Sequence, residues 1–235
     1  MRVVVTRPQA DAERTAAVLR ARGHEVLVTP LMRVEPIAAN LDGRWSALAI
    51  TSANAPAAIA GNPARHTLVK LPLLAVGGRS AEAARVAGFV DVTSADGDVR
   101  ELVRLIEASR RKDEGPVLYI AGEDRASDLV AELLARGIAV EMRVVYRAVT
   151  TPLPNSLIDA LKAGGVDAVL HFSRRSAENY VAGAKSAGVT GPALAVRHLC
   201  LSAQVAEPLA GASHIMIAAR PDEAALIELL PAGSV

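Results

Sequence analysis

Residues 3–26, VVVTRPQADAERTAAVLRARGHEV, are repeated as residues 117–140, VLYIAGEDRASDLVAELLARGIAV, and this repeat is the strongest indication of the fold. The two stretches align without a gap, so that Gly23 falls on Gly137. In each, an apolar run precedes a helical pattern, a glycine suited to closing the helix, and a second apolar run. One strand–helix–strand unit is therefore used twice.

Two shorter motifs recur in the same order. The apolar run that ends in Thr51-Ser52 has a counterpart ending in Phe172-Ser173, and the run that ends in Val76-Gly77 has a looser counterpart ending in Leu201-Ser202. The chain of 235 residues also exceeds the usual single-domain length of about 100–150 residues. Repeat and length together predict two domains of similar size.

The composition narrows the class of protein. Hydrophobic residues make up 51% of the chain and aromatic residues 3%, which is typical of many short buried strands packed against Ala-rich helices. The 26 basic and 25 acidic residues form no long runs of like charge, so we expect neither a nucleic-acid nor a membrane partner. No apolar run is long enough for a signal peptide or a membrane span, and we expect a cytoplasmic protein.

Apolar runs alternate with helical patterns along the whole chain. We predict strands at residues 2–6, 25–29, 47–51, 72–76, 89–93, 116–120, 138–147, 166–172, 198–201 and 214–218. Continuously apolar strands that alternate with helices predict parallel sheets covered by helices on both faces. The predicted fold class is α/β, with two five-stranded parallel-sheet domains of flavodoxin-like type.

Two extended segments interrupt this alternation. Residues 31–37 alternate polar and apolar side chains, and residues 142–149 prolong a strand beyond the usual five or six residues. If they pair, they form a two-stranded linker ladder and the first domain is discontinuous. The spacing fits two contiguous halves that meet near Gly115 equally well.

Polar turns follow the predicted strands, at the sheet edge where ligands bind in open parallel sheets. Unpaired backbone N–H groups and the helix dipole favour anions there, so six turns facing one shared site would suit a large ligand with several negative groups. Each hydroxyl taken alone is better explained as a helix cap, and it is the set of six turns that favours a binding site. The turns are Thr6-Arg7-Pro8, Thr51-Ser52-Ala53-Asn54, Gly77-Gly78-Arg79-Ser80, Gly122-Glu123-Asp124-Arg125, Ser173-Arg174-Arg175-Ser176 and Ser202-Ala203-Gln204.

Familiar catalytic motifs are missing from the sequence. There is no G-x-G-x-x-G after a strand, no Walker loop and no G-x-S-x-G elbow, so no nucleotide cofactor is expected. His171, His198 and His214 could approach one another, but without cysteines or paired carboxylates we expect a structural role and no metal. The single cysteine, Cys200, should be a small buried hydrophobe. Tyr146, in the extended segment, either packs as a linker residue or reaches a binding site.

The ordered motifs resemble those of the uroporphyrinogen-III synthase family over essentially the whole chain. The residues that carry the resemblance are Val5-Thr6-Arg7-Pro8, Thr51-Ser52-Ala53-Asn54-Ala55, Ala75-Val76-Gly77 with Ser80-Ala81, Gly122-Glu123-Asp124-Arg125, Val144-Val145-Tyr146-Arg147, Phe172-Ser173 with Arg175-Ser176-Ala177, and Ala219-Arg220-Pro221. Two positions depart from the family pattern: Arg174 stands where proline is common, and Ala203-Gln204-Val205 replaces a hydroxyl-containing turn.

The resemblance implies a discontinuous first domain. It places residues 1–30 and 151–235 in the first α/β domain, residues 38–142 in the second, and residues 31–37 and 143–150 in two interdomain linker strands. A monomer is also implied, and no heptad or long apolar edge in the sequence argues for an oligomer.

The resemblance further implies a cofactor-free reaction. The substrate would be hydroxymethylbilane, a linear tetrapyrrole with eight carboxylates, cyclised to uroporphyrinogen III with inversion of ring D and loss of water. A tyrosine matching Tyr146 would be the catalytic acid. The turns and the resemblance together give the candidates for substrate binding: Arg7, Thr51, Ser52, Asn54, Gly77, Arg79, Ser80, Gly122, Ser173, Arg175, Ser176, Ser202 and Gln204.

Two other functions are compatible with the residues. A two-domain protein that binds a polyanionic small molecule without chemistry would use the same turns. A nucleotide-dependent transferase on the same fold is opposed by the missing phosphate loops.

Overall fold

The computed structural model describes residues 1–109, 115–124 and 128–231, so Arg125 of the predicted fourth turn lies outside the described residues. The chain forms two compact units, Met1–Arg33 with Val149–Val235 and Val34–Ala148. We refer to them as unit 1 and unit 2. Within the described ranges, no helix is long and apolar enough to cross a membrane.

The strands follow the predicted apolar runs closely. They are β1 (Arg2–Val5), β2 (Glu25–Val28), β3 (Met32–Pro36), β4 (Ala47–Ile50), β5 (Leu73–Ala75), β6 (Val92–Ser94), β7 (Val117–Gly122), β8 (Val140–Thr150), β9 (Ala168–His171), β10 (Arg197–Cys200) and β11 (His214–Ile217).

Helices connect the strands in both units. They are α1 (Gln9–Ala21), α2 (Asn54–Ala58), α3 (Arg65–Leu68), α4 (Gly78–Val86), α5 (Val99–Ser109), α6 (Leu129–Leu134), α7 (Asn155–Lys162), α8 (Arg174–Ser186), α9 (Thr190–Ala195), α10 (Ala203–Ala206) and α11 (Glu223–Ile227), with a 3₁₀ turn at Glu207–Leu209.

The two sheets have the same strand arrangement. Unit 1 has the order β11-β10-β9-β1-β2, with parallel neighbours throughout, and unit 2 has the order β6-β5-β4-β7-β8 followed by β3. The α/β class with parallel sheets is confirmed. The sixth strand of the second sheet, β3, is hydrogen-bonded to β8 and makes this sheet mixed, so the two extended segments of the sequence do pair.

The repeated stretch forms the same unit in both places. Val3 pairs with Val26 in the β1–β2 ladder, and Val117 pairs with Val140 in the β7–β8 ladder, which is the same register in both copies. Gly23 and Gly137 both close their helix with positive φ, +80° and +69°. The duplication inferred from the sequence is therefore a duplication of structure.

One predicted strand begins too early. The apolar run at residues 89–93 was assigned wholly to a strand, but β6 starts only at Val92. Gly88 closes α4 with φ +91°, and the N–H of Phe89 then donates to the carbonyl of Ala84 at 3.1 Å. Phe89 is buried against the helix that it ends, so its hydrophobicity belongs to the helix terminus.

The core lies on both faces of each sheet, as parallel sheets require. In unit 1, Val4 and Val169 face one apolar cluster while Val3 and Leu170 face another. Unit 2 repeats this division along β4 and β7. Because both faces are covered, the carboxyl ends of the strands are where polar side chains of each unit can gather.

Candidate functional site

The predicted turns of unit 1 follow strands that are direct neighbours. β9 pairs with β1 on one side and with β10 on the other, and all three run parallel. Their carboxyl ends therefore share one edge of the sheet, and the turns that hold Arg7, Ser173 and Ser202 lie along it.

Arg7 is paired within unit 1. Its guanidinium Nη1 donates to Glu223 Oε2 at 2.9 Å and to Thr15 Oγ1 at 3.1 Å, and its Nη2 lies 3.8 Å from a carboxylate oxygen of Asp11. The guanidinium carbon also lies 4.1 Å from the ring centre of Phe172. Two carboxylates thus compete with any anionic ligand for this charge, a role that the sequence did not reveal because Glu223 is remote in the chain.

Ser173 caps helix α8. Its Oγ accepts a hydrogen bond from the Ser176 N–H at 3.1 Å, and its hydroxyl donates to Ser176 Oγ at 3.0 Å. Ser176 is buried, whereas Arg175 is exposed at the start of the same helix. Ser173 therefore has the helix-capping role that the sequence predicted as an alternative to substrate binding.

Ser202 occupies the position before helix α10, and its side chain makes no capping hydrogen bond. Its backbone is extended, with φ −158° and ψ 170°. Gly77 before α4 has almost the same values, −157° and 167°, so the loosest of the three repeated motifs is also equivalent in structure. Gln204 is exposed.

The turns of unit 2 are arranged in the same way. β4 lies between β7 and β5, and all three run parallel, so the turns after Ile50, Ala75 and Gly122 share one edge. Thr51 Oγ1 lies 2.8 Å from the hydroxyl oxygen of buried Tyr119. This tyrosine contact could not be predicted from the sequence, since Tyr119 lies within an apolar strand.

The remaining candidates of unit 2 differ in exposure. Ser52 Oγ accepts from the Asn54 N–H at 3.2 Å, and the Asn54 side chain is exposed. Arg79 is exposed on the first turn of α4, whereas Ser80 is buried. Helix α4 itself begins at Gly78.

Tyr146 and Gly122 are brought into contact by the β7–β8 ladder. Tyr146 is 8% exposed, and its phenol lies directly over Gly122. A Cβ atom placed on Gly122 would be 2.5 Å from Cζ and 2.7 Å from Oη of the tyrosine. The candidate acid and a candidate binding residue are therefore neighbours.

The strongest pKa shifts lie in the core of unit 1. Nε2 of His171 and Nδ1 of His198 are 3.0 Å apart, and both rings are fully buried. Burial lowers the pKa of His171 to about 3 and that of His198 to about 4, and the neighbouring imidazole adds to the effect on His171. Both rings are neutral at pH 7. His214 does not join them, because it is exposed on β11.

The two imidazoles are surrounded by the packed core of unit 1. Tyr180 packs edge-on against both imidazoles and donates from its hydroxyl to the Ala193 carbonyl at 3.1 Å. Cys200 is fully buried as predicted, and burial raises the pKa of its thiol to about 11. Among the residues that the structure describes, no group of three or more His, Cys, Asp or Glu side chains could hold a metal ion.

Comparisons with known proteins agree on one family. The family model described as uroporphyrinogen-III synthase HemD matches residues 13–228. No curated protein sequence matches the chain.

Solved structures provide a comparison of the fold. The uroporphyrinogen-III synthetase from Helicobacter pylori 26695 is 20% identical, with a TM-score of 0.64 over 97% of this chain and 98% of that chain. The uroporphyrinogen III synthase of Thermus thermophilus is also 20% identical, with a TM-score of 0.44 over 97% of each chain. This TM-score is too low to establish a common fold. At these identities the likeness concerns the fold, and the family rests on the match over residues 13–228. The chain belongs to the uroporphyrinogen-III synthase HemD family.

Proposed function

We propose that this protein cyclises hydroxymethylbilane to uroporphyrinogen III, with inversion of ring D and loss of water. The observation that carries the proposal is the family match over residues 13–228. The enzyme would be a hydro-lyase that works without a cofactor. We also propose that it acts as a monomer in the cytoplasm.

The strand-end turns are the proposed contacts for the substrate carboxylates. In each unit they present backbone N–H groups and hydroxyls at the start of helices, where the helix dipole favours anions. Arg79 and Arg175 are exposed on the first turns of α4 and α8, where a guanidinium could pair with a carboxylate. Arg7 would contribute less, because Glu223 and Asp11 already balance its charge.

The chemistry needs one acid and a controlled geometry. The substituted carbon of ring D attacks the carbon that carries the hydroxyl of ring A, the C–O bond breaks, and a proton turns the leaving hydroxide into water. The resulting spiro intermediate rearranges with ring D inverted. Tyr146 is the proposed proton donor, and positioning of the chain ends prevents closure to the uninverted isomer.

Isomer analysis tests the proposal directly. The protein is incubated with hydroxymethylbilane, the products are oxidised, and the type I and type III isomers are separated. We expect mainly type III, formed faster than the spontaneous closure. Type I alone at the uncatalysed rate, with the ligand nevertheless bound, would instead identify a binding protein without catalytic activity.

A further inference from the structure

The position of the Tyr146 phenol depends on an irregularity in the β7–β8 ladder. Ala121 pairs with Val144, but the next residue, Gly122, pairs with Tyr146, so β8 advances by two residues where β7 advances by one. The N–H of Glu123 then donates to the Tyr146 carbonyl at 2.9 Å. A bulge of this kind re-aims a side chain, and here it sets Tyr146 opposite Gly122.

Gly122 leaves the space that the phenol occupies. An added Cβ would lie 2.5 Å from Cζ, 2.7 Å from Cε2 and 2.7 Å from Oη of Tyr146, all far inside the contact distance of about 3.5–4.0 Å between carbon atoms. Gly122 is not among the positive-φ glycines, so its backbone would accept a side chain. The tyrosine ring is therefore what excludes one.

This arrangement belongs to the second copy of the repeat only. Gly122 aligns with Pro8 and Tyr146 with Met32. β2 stops at Val28, whereas β8 continues to Thr150. The contact is thus an addition to the duplicated unit and not a consequence of it.

We infer that Gly122 is a positioning residue that holds the Tyr146 hydroxyl at the carboxyl end of β7, where the phenol acts on the substrate. The inference rests on the proposed function and gives Gly122 a role other than contact with a carboxylate. Any side chain at position 122 displaces the ring and moves the hydroxyl away from the reacting atoms.

The first test is Gly122→Ala with Gly61→Ala as the matched control. Gly61 also lies in unit 2, is exposed, and has no atom within 4 Å of an added Cβ. Since a misplacement of about 1 Å can cost on the order of 10²-fold in rate, we expect Gly122→Ala to lower kcat at least ~10-fold while KM stays nearly constant. Gly61→Ala should match the parent protein. An unchanged kcat, or a change in KM alone, would overturn the inference.

The double variant Gly122→Ala/Tyr146→Phe separates positioning from general damage. If Gly122 acts through the tyrosine hydroxyl, the double variant has the same kcat as Tyr146→Phe alone. A full additional loss on top of Tyr146→Phe would show that Gly122 acts by another route, and the inference would be rejected.

A measurement without substrate distinguishes failure of the inference from failure of the proposed function. Protein labelled with 3-fluorotyrosine contains three tyrosines, and the ¹⁹F resonance of residue 146 is assigned by its loss in Tyr146→Phe. We expect Gly122→Ala to shift that resonance and leave the other two in place. An unshifted resonance overturns the inference even if the isomer assay succeeds, and a shifted one supports the contact even if that assay fails.

Should Gly122→Ala be too unstable to assay, its free energy of unfolding can be compared in the parent and Tyr146→Ala backgrounds. Removing the ring should abolish the loss in free energy of unfolding that the added methyl group causes. An equal cost in both backgrounds would contradict the proposed contact.

Discussion

The three tyrosines of this chain have different partners. Tyr119 shares a hydrogen bond with Thr51, Tyr180 donates to the Ala193 carbonyl inside unit 1, and Tyr146 rests on Gly122 at a strand end. Only Tyr146 combines a strand-end position with the role that the family resemblance assigns to an acid. The three residues therefore allow one chemical change to be compared in three settings.

We predict that Tyr146→Phe lowers the rate of type III formation about 10²-fold, because general-acid catalysis contributes at least that much when it operates. Initial rates with hydroxymethylbilane measure the effect. Tyr180→Phe is the control, since the Tyr180 hydroxyl lies in the buried core of unit 1 and donates to the Ala193 carbonyl. Equal rates for Tyr146→Phe and the parent protein would remove the acid role from Tyr146.

Arg7 shows why single residues are hard to interpret from sequence. Its position after β1 predicted an anion site, yet its guanidinium pairs with Glu223 from the far end of the chain and lies on the ring of Phe172. Both partners reach Arg7 only because β9 lies beside β1 and α11 begins nearby. Such contacts depend on the completed fold, and no local pattern around residue 7 contains them.

At the scale of elements, the ends of helices were the most predictable feature. Gly23 and Gly137 close α1 and α6 with equivalent bonds: the N–H of His24 donates to the Leu19 carbonyl, and the N–H of Ile138 donates to the Leu133 carbonyl. A glycine in the left-handed conformation is a strong local signal. These helix ends could be predicted because the glycine and the helix that it closes lie within a few residues of each other.

We predict that Gly137→Ala lowers the free energy of unfolding by about 1 kcal/mol, because an L-residue is strained at φ +69°. No atom lies within 4 Å of the added Cβ, so the cost is that of the backbone alone. Urea unfolding of Gly137→Ala and of the control Gly61→Ala provides the comparison. A loss of equal size in both variants would exclude backbone strain as the cause.

The strand bounds were less predictable where one hydrophobic run serves two elements. Phe89 lies in the apolar run predicted as β6 although it ends α4. The bulge that aims Tyr146 at Gly122 has no sequence signal of its own. The register between β7 and β8 decides where this bulge lies, and one sequence does not display that register.

At the scale of the whole molecule, the buried imidazoles couple stability to pH. His171 and His198 have folded-state pKa values of about 3 and about 4, below the value of 6.5 for a free histidine. As the pH falls, the unfolded chain therefore takes up protons that the folded protein does not. The contribution of the two neutral imidazoles to the free energy of unfolding is complete above about pH 6.5 and is lost toward pH 4.

We predict that the free energy of unfolding falls by about 2 kcal/mol for each buried histidine between pH 7.5 and pH 5. The double variant His171→Gln/His198→Gln should show a shallower dependence, and His66→Gln, at an exposed position, should behave as the parent protein. Urea unfolding at several pH values measures this. A double variant that kept the full parental slope would assign the pH dependence to other groups.

The common strand order of the two sheets has a consequence for synthesis on the ribosome. In unit 1, β1 and β2 pair with each other, but the next neighbour of β1 is β9, with Val3 opposite Ala168. Residues 34–148, which form unit 2, are all translated before β9 exists. Strands β1 and β2 alone are too few for a stable sheet, so their apolar side chains stay exposed to chaperones and to other nascent chains until β9 has been translated.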